Sequence, residues 1–243
     1  MSFIPSYIEL LHSGELLNRA KKAYSNLNYC TSCPRYCNVD RINNEYGICT
    51  SGHLPIVSSY TPHFGEEPVL SGTNGAGNIF FGNCNLKCIY CQNFEISQTP
   101  KEEKKNEVTH ERLADIMIEL QNKSCHNIGF VSPTHFSATI LKSIYLAAQK
   151  GLKLPIIYNR NGYDSVEMLN LYDGVVDIYL PDFKYGNSEY AKKYSLVDNY
   201  LEKTKLAIKE MFRQVGDELV YYGDVVVRGL IIRHLILPND LSE

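Results

Sequence analysis

Cys84-Asn85-Leu86-Lys87-Cys88-Ile89-Tyr90-Cys91 places three cysteines at C-x3-C-x2-C spacing in one tight loop. Thiolates are the usual ligands of iron–sulfur clusters, and a four-iron cluster has four corners to fill. Three local cysteines hold three corners and leave one iron open to a small molecule. The loop follows an apolar strand, Asn78-Ile79-Phe80-Phe81, and an aromatic residue, Tyr90, precedes the last cysteine. Buried free thiols, a disulfide pair or three ligands of a zinc site are the alternatives, and none of them calls for strand, spacing and aromatic residue together.

The rest of the chain alternates. Leu113, Ile116, Met117 and Leu120 stand at i, i+3, i+4, i+7 behind Thr109, a helix with its N-cap. Asn127 to Ser132 is a short apolar strand. Ile140, Leu141, Ile144, Tyr145 and Ala148 form a second helical stripe that stops at Lys150-Gly151. Strands are expected at Leu154–Tyr158 and Val175–Leu180, with a short helix near Val166–Leu171 between them. A long helix is marked by Ala207, Ile208, Met211, Phe212 and Val215. A hairpin turning at Gly223-Asp224 and a last strand over Gly229–Leu237 close the series. Strands alternating with helices imply parallel βαβ units. Five such strands from Ile79 onward are too few to close an eight-stranded barrel. The expected fold is α/β, a partial, open parallel β/α barrel over 77–243, preceded by a Cys-rich extension over 1–76.

In that extension Ile8 to about Leu27 reads as one packing helix. It is followed by Cys30-x2-Cys33-x3-Cys37-x11-Cys49, punctuated by Pro34, Gly47 and Gly52. Four thiolates at such spacing suit a tetrahedral zinc or a second iron–sulfur cluster. Spacing alone does not separate the two. Residues 51–77 look irregular, with His63, Glu66 and Glu67 as ordinary loop residues and, alternatively, as the lining of a site. Cys125 lies outside both cysteine groups and reads as a buried thiol.

Composition narrows the class. The chain has 243 residues, is 44% hydrophobic and carries a net charge of −3, enough apolar residues for a core and no charge bias toward nucleic acid or a membrane surface. No signal peptide or membrane-crossing stretch is read at the N-terminus. Eight cysteines without an export signal suggest metal binding in a reducing cytoplasm.

Polar residues gather where barrel strands end, the usual place for chemistry in such folds. These are Ser132-Pro133-Thr134-His135, Asn159-Arg160-Asn161-Gly162-Tyr163, Asp182-Phe183-Lys184 and Arg233-His234. With the C-x3-C-x-aromatic-C loop they resemble the radical S-adenosylmethionine (SAM) enzymes, and within them the activases of glycyl-radical enzymes, of the pyruvate formate-lyase activating type. The nearest likeness is a branch of activases with an extra N-terminal cysteine knuckle. Asn159–Tyr163 resembles that family's third-strand D-T-N-G-F segment, Asp182-Phe183-Lys184 its D-x-K motif, and Arg233–Pro238 its arginine-bearing strand.

The resemblance implies a [4Fe-4S] cluster on Cys84, Cys88 and Cys91, with SAM on the open iron. One electron then splits SAM to methionine and a 5′-deoxyadenosyl radical, which takes hydrogen from a glycine of a partner protein. It further implies SAM contacts from Ser132, Thr134, His135, Asn159, Asn161 and Arg233, and Asp182 and Lys184 beside the SAM tail or the target glycine. The electron donor would be of the flavodoxin or ferredoxin type, and an oxygen-poor host would fit. Asn159 stands where the family has an acidic residue, and Ser132–His135 replaces its G-G-E segment. The family pattern continues for about one more strand–helix unit than this chain, so the resemblance implies a C-terminally shortened barrel.

Overall fold

The structure, a computed structural model, describes residues 3–238. Helices α1 (Tyr7–His12) and α2 (Glu15–Ser25) come first, then the cysteine knuckle as turns, and strand β1 (Val57–His63). A helical turn, α3 (Pro68–Ser71), leads to β2 (Ala76–Phe81). After the cluster loop come two further turns, α4 (Phe94–Ser97) and α5 (Pro100–Glu103), and the alternation begins: α6 (His110–Asn122), β3 (Ile128–Val131), α7 (Ser137–Gln149), β4 (Ile156–Arg160), α8 (Val166–Leu171), β5 (Ile178–Phe183). Helices α9 (Ser188–Ser195) and α10 (Tyr200–Val215) lead to β6 (Val220–Tyr222), β7 (Val225–Leu230) and β8 (Arg233–His234).

One sheet runs β1-β2-β3-β4-β5-β7-β6, with β8 also on β5. β2, β3, β4, β5 and β7 are parallel neighbours. β1 and β6 are antiparallel at the two ends of the order, so the sheet does not close. This is the partial, open parallel barrel expected from the alternation.

Period-two alternation divides each strand between two faces. Ile79, Phe81, Ile128, Phe130, Ile156, Tyr158 and Tyr179 enter the main core beneath α2, α6 and α7. Leu113, Ile116, Met117 and Leu120 of α6 are all buried there, and the Thr109 hydroxyl accepts the Arg112 backbone N–H as the N-cap. Tyr7, Leu16, Ala20 and Leu27 of the N-terminal segment belong to the same core. The opposite face carries Asn78, Gly129, Ile157, Asn159, Leu180 and Asp182 into the concave side of the sheet.

Three expectations need correction. The single N-terminal helix is two, because Gly14 takes a left-handed φ of +79° between them. The segment read as irregular contains β1, a seven-residue edge strand on β2. The C-terminal hairpin and the last strand are continuous: β7 is the hairpin's second arm and enters the sheet beside β5, and β8 follows after a two-residue break.

Two histidines are buried with their imidazoles neutral. Burial pushes His110 down to about 4 and His135 down to about 3. A base depressed in the folded state binds its proton first when unfolded, so acid below pH 6.5 favours unfolding until the folded values are reached. Asp177, raised to about 6 by burial, acts in the opposite sense over the lower part of that window. Burial raises Asp164 as well, so with His110 and His135 against these two carboxylates the urea midpoint is expected to fall from pH 7, less steeply toward pH 5. Denaturation curves at half-unit steps check it, and a flat profile would contradict it.

Candidate active site at the strand ends

β2 delivers the chain into the cluster loop through Gly82 and Asn83. A Cβ on Gly82 would lie 2.6 Å from the Ile56 side chain, and Asn83 sits at φ +64°. The Asn83 N–H donates to the Ile96 carbonyl (2.7 Å), and its amide donates to the Thr50 carbonyl and the Ser51 hydroxyl, both at 3.2 Å. Asn85 donates to the Tyr163 carbonyl (3.0 Å) and accepts from Asn161 (2.8 Å). These contacts fix the loop independently of anything it holds.

Each of the three sulfurs has a polar neighbour. Cys84 Sγ accepts from the Leu86 N–H (3.4 Å) and the Asn161 amide (3.6 Å). Cys88 Sγ accepts from the Ser195 hydroxyl (2.9 Å), and Cys91 Sγ lies 3.2 Å from the Ser97 hydroxyl. Behind Ser195 runs a chain of hydroxyls: Tyr90 Oη donates to Tyr185 Oη (2.7 Å), which lies 2.7 Å from Ser195 Oγ. Burial pushes the Cys84 thiol up to about 11, partly opposed by the Leu86 N–H, and raises Cys88 as well. Among the described residues no three His, Cys, Asp or Glu side chains converge on a single metal ion. Three thiols carried on one short loop are a donor set that suits three corners of a multi-iron cluster.

Beside the loop, on the concave face, lies a charged layer. Arg233 Nε donates to Asp182 Oδ1 (2.9 Å), and its Nη2 donates to Asn159 Oδ1 (2.6 Å). Lys184 Nζ bonds the other Asp182 oxygen at 2.7 Å. Glu66 accepts from Asn78 (2.8 Å) and Asn159 (3.3 Å) and stands 3.7 Å from Arg233 Nη1, with Glu67 at 3.8 Å. Burial works against the Lys184 charge, and Asp182 more than offsets it, so its ammonium is held above the ordinary value. The layer therefore presents fixed charges of both signs in a half-buried setting, where they act more strongly than in water.

Of the residues singled out in the sequence, Cys84, Cys88, Cys91 and Asn161 meet at the loop. Asn159, Asp182, Lys184 and Arg233 meet in the charged layer. Thr134 and His135 do not join them, while Ser132 reaches the layer through its N–H, which donates to the Asn159 carbonyl (2.9 Å). Ser132 takes φ +56° at the end of β3, and the following 3-10 turn buries its side chains on the other side. Thr134 donates to Asp164 (2.8 Å), while His135 Nε2 pairs with the Gly82 carbonyl (2.9 Å). Ser195 is a participant that the sequence left unmarked, whereas Glu66, read there as a loop residue or alternatively as site lining, takes the second of those places. Glu66 had a weak signal, a paired carboxylate between Pro62 and Pro68, and Ser195 had none.

The four N-terminal cysteines also come together. Cys30, Cys33, Cys37 and Cys49 line one cavity with Arg41 and His135. Tight turns hold them: the Cys30 N–H donates to the Val39 carbonyl, and the Tyr36 N–H donates to that of Cys33. A Cβ on Gly47 would lie 2.7 Å from Cys37 Sγ, so only glycine lets the thiol sit there.

The family model of the radical SAM superfamily matches residues 78–235, from the Asn78 of β2 to just past β8. An uncharacterized protein of Methanocaldococcus jannaschii is 34% identical over 231 residues, covering 92% of this chain and 60% of its own length. A second uncharacterized protein of the same organism is 28% identical over 227 residues, covering 85% of this chain and 65% of itself. The chain thus spans less than two thirds of the length of either relative. Among the described residues no helix is long and apolar enough to cross a membrane.

Proposed function

Because the chain belongs to the radical SAM superfamily, whose members are SAM-cleaving iron–sulfur enzymes, we propose that it generates a radical from SAM at the Cys84 loop and uses it on a protein glycine. Cys84, Cys88 and Cys91 would hold a [4Fe-4S] cluster. Such a cluster with SAM on its open iron supplies reductive cleavage to a 5′-deoxyadenosyl radical. The chain's own residues bind, orient and exclude water. Donors on each sulfur stabilise its negative charge. The charged layer suits a ligand that carries a sulfonium and ammonium beside a carboxylate: Glu66 and Asp182 toward the cations, Arg233 and Lys184 toward the anion. Asn161 would hold its place between the loop and the layer.

The observation that carries this reading is the juxtaposition itself, a three-thiol loop with a donor on each sulfur beside the Asn159–Arg233–Asp182–Lys184 layer. Its finer part, activation of a partner glycine by an electron from a flavodoxin- or ferredoxin-type donor in an oxygen-poor cytoplasm, rests on the resemblance of Asp182-Phe183-Lys184 to the activase motif. Residues 1–76 are assigned as an extension carrying a second metal site on Cys30, Cys33, Cys37 and Cys49, zinc or iron–sulfur. A radical SAM reaction on a different substrate is favoured by one observation: Thr134 and His135, in the segment that replaces the G-G-E turn, face away from the charged layer.

Anaerobic reconstitution with iron and sulfide, reduction and addition of SAM should yield 5′-deoxyadenosine. A partner bearing a glycyl radical should show its doublet in electron paramagnetic resonance (EPR). Deoxyadenosine without any glycyl radical on co-expressed candidates would favour the other substrate, and no deoxyadenosine would sink both. Arg233→Met removes charged hydrogen bonds to Asp182 and Asn159 together. SAM affinity of the reconstituted protein is expected to fall about ten- to a hundredfold, and equilibrium binding with an unchanged iron content would check it.

A further inference from the structure

The last turn of α9 lies across the Cys84 loop. The Lys87 N–H donates to the Ser195 carbonyl (3.4 Å) and the Ile89 N–H to the Tyr194 carbonyl (2.9 Å), so both chain neighbours of Cys88 are bonded to it. The helix stops there because Leu196 takes a left-handed φ of +55°. With those two N–H groups engaged by carbonyls, the Cys88 sulfur takes its hydrogen bond from a side chain, the Ser195 hydroxyl at 2.9 Å. Among the described residues this is the shortest polar contact to the three sulfurs: Cys84 accepts at 3.4 and 3.6 Å, and Cys91 lies 3.2 Å from the Ser97 hydroxyl.

Proton counting gives the hydroxyls behind Ser195 a direction. A hydroxyl has one proton to donate and lone pairs with which to accept. Ser195 commits its proton to Cys88, so in the 2.7 Å contact between Tyr185 and Ser195 it is Tyr185 that donates. Tyr185 in turn accepts from Tyr90 at 2.7 Å. Three O–H groups in series thus point at one sulfur, and each polarises the next. Ser195 and Tyr185 are fully buried, where such dipoles are weakly screened. The Tyr185 ring is held edge-on by Tyr200, at 5.4 Å between centroids, and by Tyr90, at 6.2 Å. A hydrogen bond to a cluster thiolate strengthens as the cluster gains an electron, because the negative charge on sulfur grows. The donor therefore favours the reduced state and raises the reduction potential.

We propose that Ser195, aligned by Tyr185 and Tyr90, tunes the reduction potential of the cluster on Cys84, Cys88 and Cys91, so that the single electron needed for SAM cleavage is more readily accepted. That reduction adds one electron to the cluster and oxidises a low-potential one-electron protein donor by one; no bond is made or broken in it. Ser195 acts through Cys88 and is a positioning residue. The proposal rests on the radical SAM reading and goes beyond it by assigning the potential to one side chain outside the loop.

The test uses the reconstituted full chain, titrated with dithionite at controlled potential and followed on the EPR signal that changes when SAM is added. Ser195→Ala should keep its iron and make the cluster about tenfold harder to reduce at a given potential, about 59 mV for a one-electron couple. Tyr185→Phe leaves Ser195 on Cys88 and should move the midpoint the same way by a smaller amount. Ser195→Thr retains the hydroxyl and should restore the wild-type midpoint. Full iron with unmoved midpoints in Ser195→Ala and Tyr185→Phe would overturn the proposal. Loss of iron from both would make Ser195 a structural prop and overturn it as well. A wild-type chain with no SAM-responsive cluster would sink the radical SAM reading and this inference together. Deoxyadenosine from the wild type beside unmoved variant midpoints would leave that reading standing and remove this inference alone.

Discussion

Cys88→Ala is expected to reduce 5′-deoxyadenosine formation to background and to lower bound iron. Cys88 is one of only three thiols in the loop, so its loss leaves a proposed four-iron cluster with two protein ligands. It also strands the hydroxyl chain behind it: Ser195 loses its acceptor, and Tyr185 and Tyr90 lose the end of their line. Cys125→Ala is the control. Cys125 is equally buried but contributes to the main core away from the loop, so its truncation should lower stability slightly and leave iron and turnover as they were. Anaerobic iron analysis and a deoxyadenosine assay on both variants decide the matter. Full activity in the Cys88→Ala protein would remove the Cys84 loop from the chemistry.

Gly162→Ala should be the most damaging single methyl in the barrel. Gly162 has φ +79°, and an added Cβ would lie 2.4 Å from the Asp182 backbone carbonyl and 2.9 Å from Thr204. The nearest obstacle is main chain, so it cannot rotate aside. Left-handed strain and overpacking together put the cost at about 3–5 kcal/mol, a large part of what a domain has to lose. The same methyl would push the Asn161 end of β4 from the Asp182 end of β5, separating the cluster loop's anchor from the charged layer. Urea denaturation should show the loss directly, and at low temperature, where the protein still folds, SAM binding should be weakened further. A stability within 1 kcal/mol of wild type would mean that the two strand ends are not held this closely.

The barrel was legible where one periodicity ran long enough to be unambiguous. α6 and α7 show continuous stripes, and the central strands are short apolar runs because a parallel sheet is covered on both faces. β1 was hidden because Val57–His63 holds two serines, a threonine and a proline, residues an edge strand tolerates and a central one does not. α9 escaped notice for a similar reason, since only Ala191 and Ser195 of it are buried. Its loss from the reading mattered, because Ser195 is what reaches Cys88. The Cys84–Cys91 loop was plain because its three thiols are neighbours in sequence. The charged layer was partly plain: Asn159, Asp182 and Arg233 sit at strand ends, while Glu66 arrives from a loop. Thr134 and His135 bond Asp164 and the Gly82 carbonyl rather than the charged layer, because position at a strand end does not fix direction once a residue such as Ser132 turns left-handed.

The first turn of the chain clasps its far half. Ser6 donates its N–H and its hydroxyl to Asp177 Oδ1, each at 3.0 Å, and accepts from Arg228 Nη1 at 3.0 Å. During synthesis the amino end therefore emerges long before its acceptor, and waits some 170 residues for it. At ribosomal speeds of about 5–20 residues per second that is a wait of roughly ten to thirty seconds with Tyr7 and Leu16 lacking their final neighbours. The knuckle thiols leave the ribosome in the same interval. The metal proposed for Cys30–Cys49 would thus have a time window for delivery before the sheet is complete, and its supply during translation would set the yield of filled protein.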